Sequence, residues 1–143
     1  DQTPAIRNLF ECSLFFEHQY YQLKMTNEQF NELFRKRILN FVIRSIRFID
    51  ALPVSTTTRV LSYQYCKSYT SVGDNFRAFC RGRSKNEKFA KICIVVEEAD
   101  ECEYWLEVFP HTCYGDKEEL TRLSGEALEI LKVTSKIKVN LKV

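Results

Sequence analysis

Basic side chains cluster around one short segment near the middle of the sequence, where they could bind phosphate groups. Arg77 and Arg81 are four residues apart, a spacing that places both on one face of a helix. Further cations follow at once, at Arg83, Lys85 and Lys88. Arg and Lys side chains that share a surface neutralise the phosphates of nucleic acids, so this basic cluster predicts a binding site for RNA or DNA.

An acidic segment follows the basic cluster and offers a competing role for it. Residues 54–91 hold eight basic and two acidic residues, whereas residues 92–110 hold six acidic and no basic ones. Glu97, Glu98 and Glu101 could therefore pair with the cluster, in the same subunit or in a neighbouring one. The net charge of +2 conceals this segregation, and the sequence leaves phosphate binding and ion pairing as alternatives.

The other reactive residue types form no pattern that is typical of catalysis. His18 and His111 are the two histidines and lie far apart, and successive cysteines are 9 to 54 residues apart, too far for a paired zinc ligand set. The four glycines form no phosphate-binding loop. We therefore expect a protein that is not an enzyme and that holds no metal or cofactor.

The start of the sequence and its hydropathy bear on the compartment. The early apolar run is short and is broken by Glu11, which is unlike a secretory leader. No stretch approaches the 18 uncharged apolar residues of a membrane span. We expect free thiols, a cytoplasmic location and no membrane partner.

Four segments carry the apolar spacing of helices that are buried along one stripe. Capping boxes are predicted at Thr26 and Ser84, a cap at Asp116 with Glu119, and a further N-cap within residues 55–58. The predicted core positions are Phe34, Ile38, Phe41, Ser45, Phe48 and Leu52; Leu61, Tyr65, Ser68, Val72, Asn75 or Phe76, and Phe79; Phe89, Ile92, Val96, Ala99, Glu103 and Leu106; and Leu120, Leu123, Ala127, Ile130, Thr134, Ile137 and Leu141. Short links make consecutive helices antiparallel neighbours. The sequence predicts an all-α, up-down-up-down four-helix bundle.

The domain organisation is predicted to have two parts. Residues 25–143 form the bundle, and residues 1–24 form an N-terminal extension that is too apolar for a solvated tail. This extension would add a helix or pack on the bundle or on a neighbouring subunit. Within the bundle, Asn75 and Ser71 lie on or beside the core stripe, where a bonded amide would fix register and partner choice.

Three stretches carry a family resemblance, namely residues 68–85 (SYTSVGDNFRAFCRGRSK), 94–101 (IVVEEADE) and 104–107 (YWLE). With them, the chain from Thr26 to Val143 resembles the bacterial 23S rRNA intervening-sequence proteins. The resemblance implies a small cytoplasmic bundle that assembles as a ring, typically a pentamer. Candidates for oligomer contacts are Trp105, the polar pair Asn75 and Ser71, and the acidic residues Glu97, Glu98 and Glu101. A bundle related to this family is the accessory variability protein of diversity-generating retroelements, which binds nucleic acid and a reverse transcriptase.

Two functions from different classes follow. The leading expectation is a homo-oligomeric bundle that binds RNA or DNA through the basic cluster. The alternative is a protein–protein scaffold or accessory subunit, in which the charged stripes of neighbouring subunits meet.

Overall fold

The computed structural model describes residues 25–141 and folds them into four α-helices. These are α1 (Asn27–Asp50), α2 (Thr56–Cys80), α3 (Lys85–His111) and α4 (Lys117–Asn140). The all-α prediction is confirmed. The predicted extension over residues 1–24 lies outside the described residues, together with any helix in it. Within residues 25–141, no helix has the length and apolar content to cross a bilayer.

The helices begin where the capping residues predict. The hydroxyl of Thr26 accepts from the backbone N–H of Gln29 at 3.1 Å, and the Gln29 side chain accepts from the Thr26 N–H at 3.0 Å. Ser55 and Thr58 make the same reciprocal pair at the start of α2. Both exchanges satisfy N–H groups that would otherwise lack a partner in the first turn.

The turn between α2 and α3 uses a variant of this pattern. The hydroxyl of Ser84 accepts from the Glu87 N–H at 3.1 Å, as predicted, but the Glu87 carboxylate accepts from the N–H of Arg83 at 2.8 Å. The carboxylate therefore reaches one residue beyond the cap and closes the turn as well as capping the helix. This short turn makes α2 and α3 antiparallel.

Contacts between α1 and α2 show that these helices also run in opposite directions. The rings of Phe34 and Phe76 meet edge to face, with centroids 5.3 Å apart. Further along α1, the hydroxyls of Ser45 and Tyr65 form a buried hydrogen bond of 2.6 Å. The second contact lies 11 residues later than the first in α1 and 11 residues earlier in α2. The two helices are therefore antiparallel.

The core lies along one stripe of each helix, and α3 differs from its prediction. Its buried residues are Ile92, Val95, Ala99, Cys102, Leu106 and Phe109. The prediction of Val96 and Glu103 as core positions is wrong, since both are only half-buried. A strict alternation of three and four residues selects Val95 and Cys102, and it leaves the Glu103 carboxylate outside the core.

Candidate nucleic-acid interface

The basic cluster lies at one end of the bundle, around the turn between α2 and α3. Arg77 and Arg81 come from the last turn of α2 and its C-cap, Arg83 from the turn, and Lys85 from the start of α3. All four side chains are exposed, whereas Lys88 is half-buried. The structure thus brings the five predicted residues to one region of the surface.

Local packing explains the position of Lys88. Its Nζ atom lies 5.8 Å from the centroid of the buried Phe79 ring, a cation–π contact. A Cβ atom on Gly82 would lie 2.6 Å from Cγ of Lys88 and would clash with it. Glycine at this position therefore leaves room for the aliphatic part of the Lys88 side chain. The turn therefore holds the Lys88 stem against the core.

Ion pairs within residues 25–141 do not involve the basic cluster. The pairs found there are Arg35–Glu32, Arg37–Glu126, Arg44–Glu119, Arg122–Glu118 and Lys132–Glu129. Glu97, Glu98 and Glu101 make no ion pair in that part of the chain either. The expected pairing of these two groups inside one subunit is therefore not found among the described residues.

The acidic residues of α3 have a different environment from the one predicted. Burial raises the pKa of the half-buried Glu98, and the neighbouring Glu101 raises it further. Lys67 of α2 acts in the opposite direction, so the cation that Glu98 senses belongs to α2 and not to the basic cluster. Glu101 accepts a hydrogen bond of 3.3 Å from Nε1 of Trp105, while Glu97 is exposed.

Asn75 and Ser71 form a local polar pair on α2. Nδ2 of Asn75 donates to the Ser71 carbonyl at 2.9 Å and to the Ser71 hydroxyl at 3.0 Å. Both residues are half-buried. The amide is bonded, as a partly buried amide must be, and these bonds are made within its own helix.

Charge is divided between the two ends of the bundle. The positive end, defined as residues 27–38, 69–97 and 125–141, carries twelve basic and seven acidic residues, a net charge of +5. The negative end, defined as residues 39–68 and 98–124, carries six basic and nine acidic residues, a net charge of −3. The antiparallel order of the helices brings these segments together, although they are far apart in the sequence.

Electrostatic coupling supports this grouping. The pKa of Glu32 in α1 is lowered first by its hydrogen bond to Arg35, and the charges of Lys36 and Arg81 lower it as well. Arg81 thus acts on the first turns of α1. The contribution of α1 and α4 was not predicted from the sequence, because the two halves of α4 carry opposite net charges that largely cancel over the whole segment. The predicted antiparallel topology is the signal that could have revealed it.

No group of three or more His, Cys, Asp or Glu side chains that could hold a metal ion occurs within residues 25–141. The free cysteines in that range are Cys66, Cys80, Cys93, Cys102 and Cys113.

Comparisons with known proteins identify a family and a similar fold among solved structures. A family model described as "23S rRNA-intervening sequence protein" matches residues 30–136. The chain is also similar to a crystal structure of a protein with unknown function from the S23 ribosomal protein family of Bacteroides thetaiotaomicron VPI-5482. The two are 27% identical with a TM-score of 0.67, over 76% of this chain and 97% of that one. No curated protein matches the sequence.

Proposed function

The chain belongs to the 23S rRNA-intervening sequence protein family, and from this premise we propose that it is a non-enzymatic, cytoplasmic protein that binds RNA or DNA through the basic cluster. The observation that carries the proposal is the placement of Arg77, Arg81 and Arg83. These guanidinium groups are exposed around one turn, and none is in an ion pair with an acid within residues 25–141. Such groups are available for charge-assisted hydrogen bonds to phosphate oxygens.

The physical signature of this binding is its salt dependence. Each phosphate that the protein neutralises releases condensed counterions, so the affinity falls with a log–log slope of about −0.9 per contact. The five cations of the cluster correspond to a slope of roughly −4.5 if every one engages a phosphate.

The experiment measures fluorescence anisotropy of a labelled RNA hairpin and of a DNA duplex of the same sequence. The test variant is Arg81→Glu/Arg83→Glu, and the matched control is Arg59→Glu/Arg122→Glu, which makes the same charge change on exposed residues of the negative end. We expect the test variant to bind roughly tenfold or more weakly and to lose about two units of salt slope. The control should bind within about twofold of the unmodified protein, because its charges lie at the far end.

Two results would contradict the proposal. One is the absence of binding at low salt. The other is an equal loss of affinity in the test variant and in the control, since that would reflect net charge alone and not the basic cluster.

We also propose that the protein assembles as a homo-oligomer, with the pentameric ring as the expected form. The supporting observation is an apolar stripe on the outer face of α1, formed by Leu39, Ile43 and Ile46. Their side chains are 49%, 38% and 41% exposed and follow the four- and three-residue spacing of one helix face. Contiguous exposed apolar surface of this kind marks interaction sites.

Light scattering after gel filtration tests the assembly. Ile43→Glu places a charge in the stripe, and Val60→Glu is the control, since Val60 is 55% exposed on α2. We expect a multimeric mass for the unmodified protein and for the control, and a smaller mass for Ile43→Glu. A monomeric mass for the unmodified protein would contradict the assembly.

The scaffold alternative makes a different prediction for the basic cluster. If the charged stripes of neighbouring subunits meet, Arg81→Glu/Arg83→Glu will break the oligomer. The cluster would then serve protein contacts, which is the setting for a protein partner such as a reverse transcriptase. An intact oligomer in that variant would contradict the scaffold alternative. It would also show that the basic cluster is not occupied by contacts between subunits and can bind phosphates.

A further inference from the structure

We propose that the whole positive end, and not the α2–α3 turn alone, forms the nucleic-acid surface, so that the bundle stands end-on on a double helix. This inference rests on the proposed function. It adds the last turns of α4 to the site and names a double helix, held by the phosphates of both strands, as the partner.

The lysines of α4 supply the additional cations. Lys132 and Lys136 are exposed and lie four residues apart, on one face of the helix. Lys138 follows in the last turn. The Nζ atom of Lys132 lies 4.0 Å from Glu129, and its side chain is 59% exposed, so this ion pair is weak enough to exchange for a phosphate.

The arrangement of the helices gives the surface two rows of cations. α4 packs against α3 and α1, and packed helix axes are about 8–10 Å apart. The α4 lysines therefore form a second row beside the one at the α2–α3 turn. A single strand offers one line of phosphates, whereas a double helix offers two, one on each side of a groove. Two rows of cations therefore suit a double helix.

The negative end sets the orientation. The net charge of −3 on the negative end disfavours a pose in which the bundle lies lengthwise along a polyanion. Among the described residues, the aromatic side chains that are largely exposed are Tyr63 and Tyr104, at 65% and 56%, and both belong to the negative end. Binding of single strands relies on aromatic platforms beside the cations, and in the described part of the chain these two features are separated.

The experiment compares duplex binding by two charge reversals on the same helix. Lys132→Glu/Lys136→Glu alters the positive end, and Lys117→Glu/Arg122→Glu makes the same charge change on exposed residues at the negative end. We expect the first variant to bind an RNA hairpin duplex about fivefold or more weakly and to lose about two units of salt slope. We expect the second to bind within about twofold of the unmodified protein. Lys132→Gln/Lys136→Gln removes the charges without reversal and should give a smaller loss, and circular dichroism melting verifies the fold of each variant.

A second measurement tests the double helix as partner. The unmodified protein should bind the hairpin duplex more tightly than an unpaired uridine oligomer with the same number of phosphates.

The outcomes separate this inference from the proposed function. If Arg81→Glu/Arg83→Glu weakens binding while the α4 reversal does not, the basic cluster stands and the end-on surface is wrong. If the uridine oligomer binds as tightly as the duplex, the double helix is the wrong partner. If neither reversal changes binding, both proposals fail.

Discussion

Arg37 of α1 and Glu126 of α4 form a bidentate ion pair inside the bundle. Nη2 of Arg37 donates to Oε2 of Glu126 at 2.9 Å, and Nε donates to Oε1. The Arg37 side chain is 2% exposed and that of Glu126 is 14% exposed. Seven residues along each helix, Arg44 pairs with Glu119 in the same way at 35% and 24% exposure. The two pairs fix α1 antiparallel to α4 and set their register.

Removal of either carboxylate should separate the effects of a buried and a half-buried pair. Glu126→Ala takes the carboxylate from a guanidinium that stays buried, and we expect a loss of about 3–5 kcal/mol in the free energy of unfolding. Glu119→Ala leaves a half-buried guanidinium that water can still reach, and we expect a smaller loss of about 1 kcal/mol. Urea unfolding followed by circular dichroism measures both values.

A double substitution completes this test. Arg37→Met/Glu126→Leu removes both charges and fills the space with apolar atoms, so it should be more stable than Glu126→Ala alone. Equal losses in the two single variants would show that burial does not determine the strength of these pairs.

The four helices could be predicted from the sequence because capping residues and apolar spacing depend only on residues that are close together in the chain. Thr26 and Gln29 are three residues apart and make both predicted capping bonds. The stripe from Phe34 to Phe48 in α1 is buried as predicted, since a helix in a small bundle buries one face and the spacing identifies that face.

Features that depend on contacts between helices could not be predicted from the spacing of residues within one helix. Arg37 lies beside the core stripe and would ordinarily be solvated; it is buried because α4 brings Glu126, 89 positions later, to the same place. The candidate site likewise has a part that could be predicted and a part that could not. The grouping of Arg77 and Arg81 lies within one helix and was predicted, whereas the addition of the α4 lysines depends on how the helices are arranged in the bundle. Phosphate binding itself stays a prediction.

Two glycines should respond in opposite ways to alanine. Gly115, in the α3–α4 turn, has φ +85°, and a Cβ there would lie 2.5 Å from the ring of the buried Phe48. Gly115→Ala should therefore cost about 1–3 kcal/mol of unfolding free energy. Gly125 lies within α4, and a Cβ would meet nothing within 4 Å. Gly125→Ala should gain about 0.5–1 kcal/mol through helix propensity. Thermal melting distinguishes them, and a stabilised Gly115→Ala would contradict the turn geometry.

Glu98 should make stability fall as the pH rises. Burial, reinforced by Glu101, raises the pKa of Glu98 in the folded protein above its ordinary value of 4.5. Between the unfolded and the folded pKa the native state binds more protons, so stability decreases with pH across that window and the penalty stays complete above it. Glu98→Gln should therefore raise the melting temperature at pH 7, and the gain should shrink toward pH 4. Glu107→Gln is the matched control on an exposed residue of the same helix. A gain that is independent of pH would contradict this assignment.

The cysteine thiols should react at very different rates with iodoacetamide. Cys113 is exposed in the α3–α4 turn, whereas Cys102 is 1% exposed and burial raises its pKa well above the ordinary value. Burial also raises the pKa of Cys80 to about 11. Because the thiolate is the reacting form and needs access to the reagent, we expect Cys113 to be labelled first and Cys102 only when the bundle opens.

Peptide mass spectrometry after brief labelling measures the reaction of each cysteine separately. Labelling in urea gives the rate for the unfolded chain as a reference. A Cys102 rate in native protein that equals its rate in urea would contradict the packing of α3 against its neighbours. A slow rate that follows the stability of the glycine variants would identify labelling of Cys102 as a measure of unfolding.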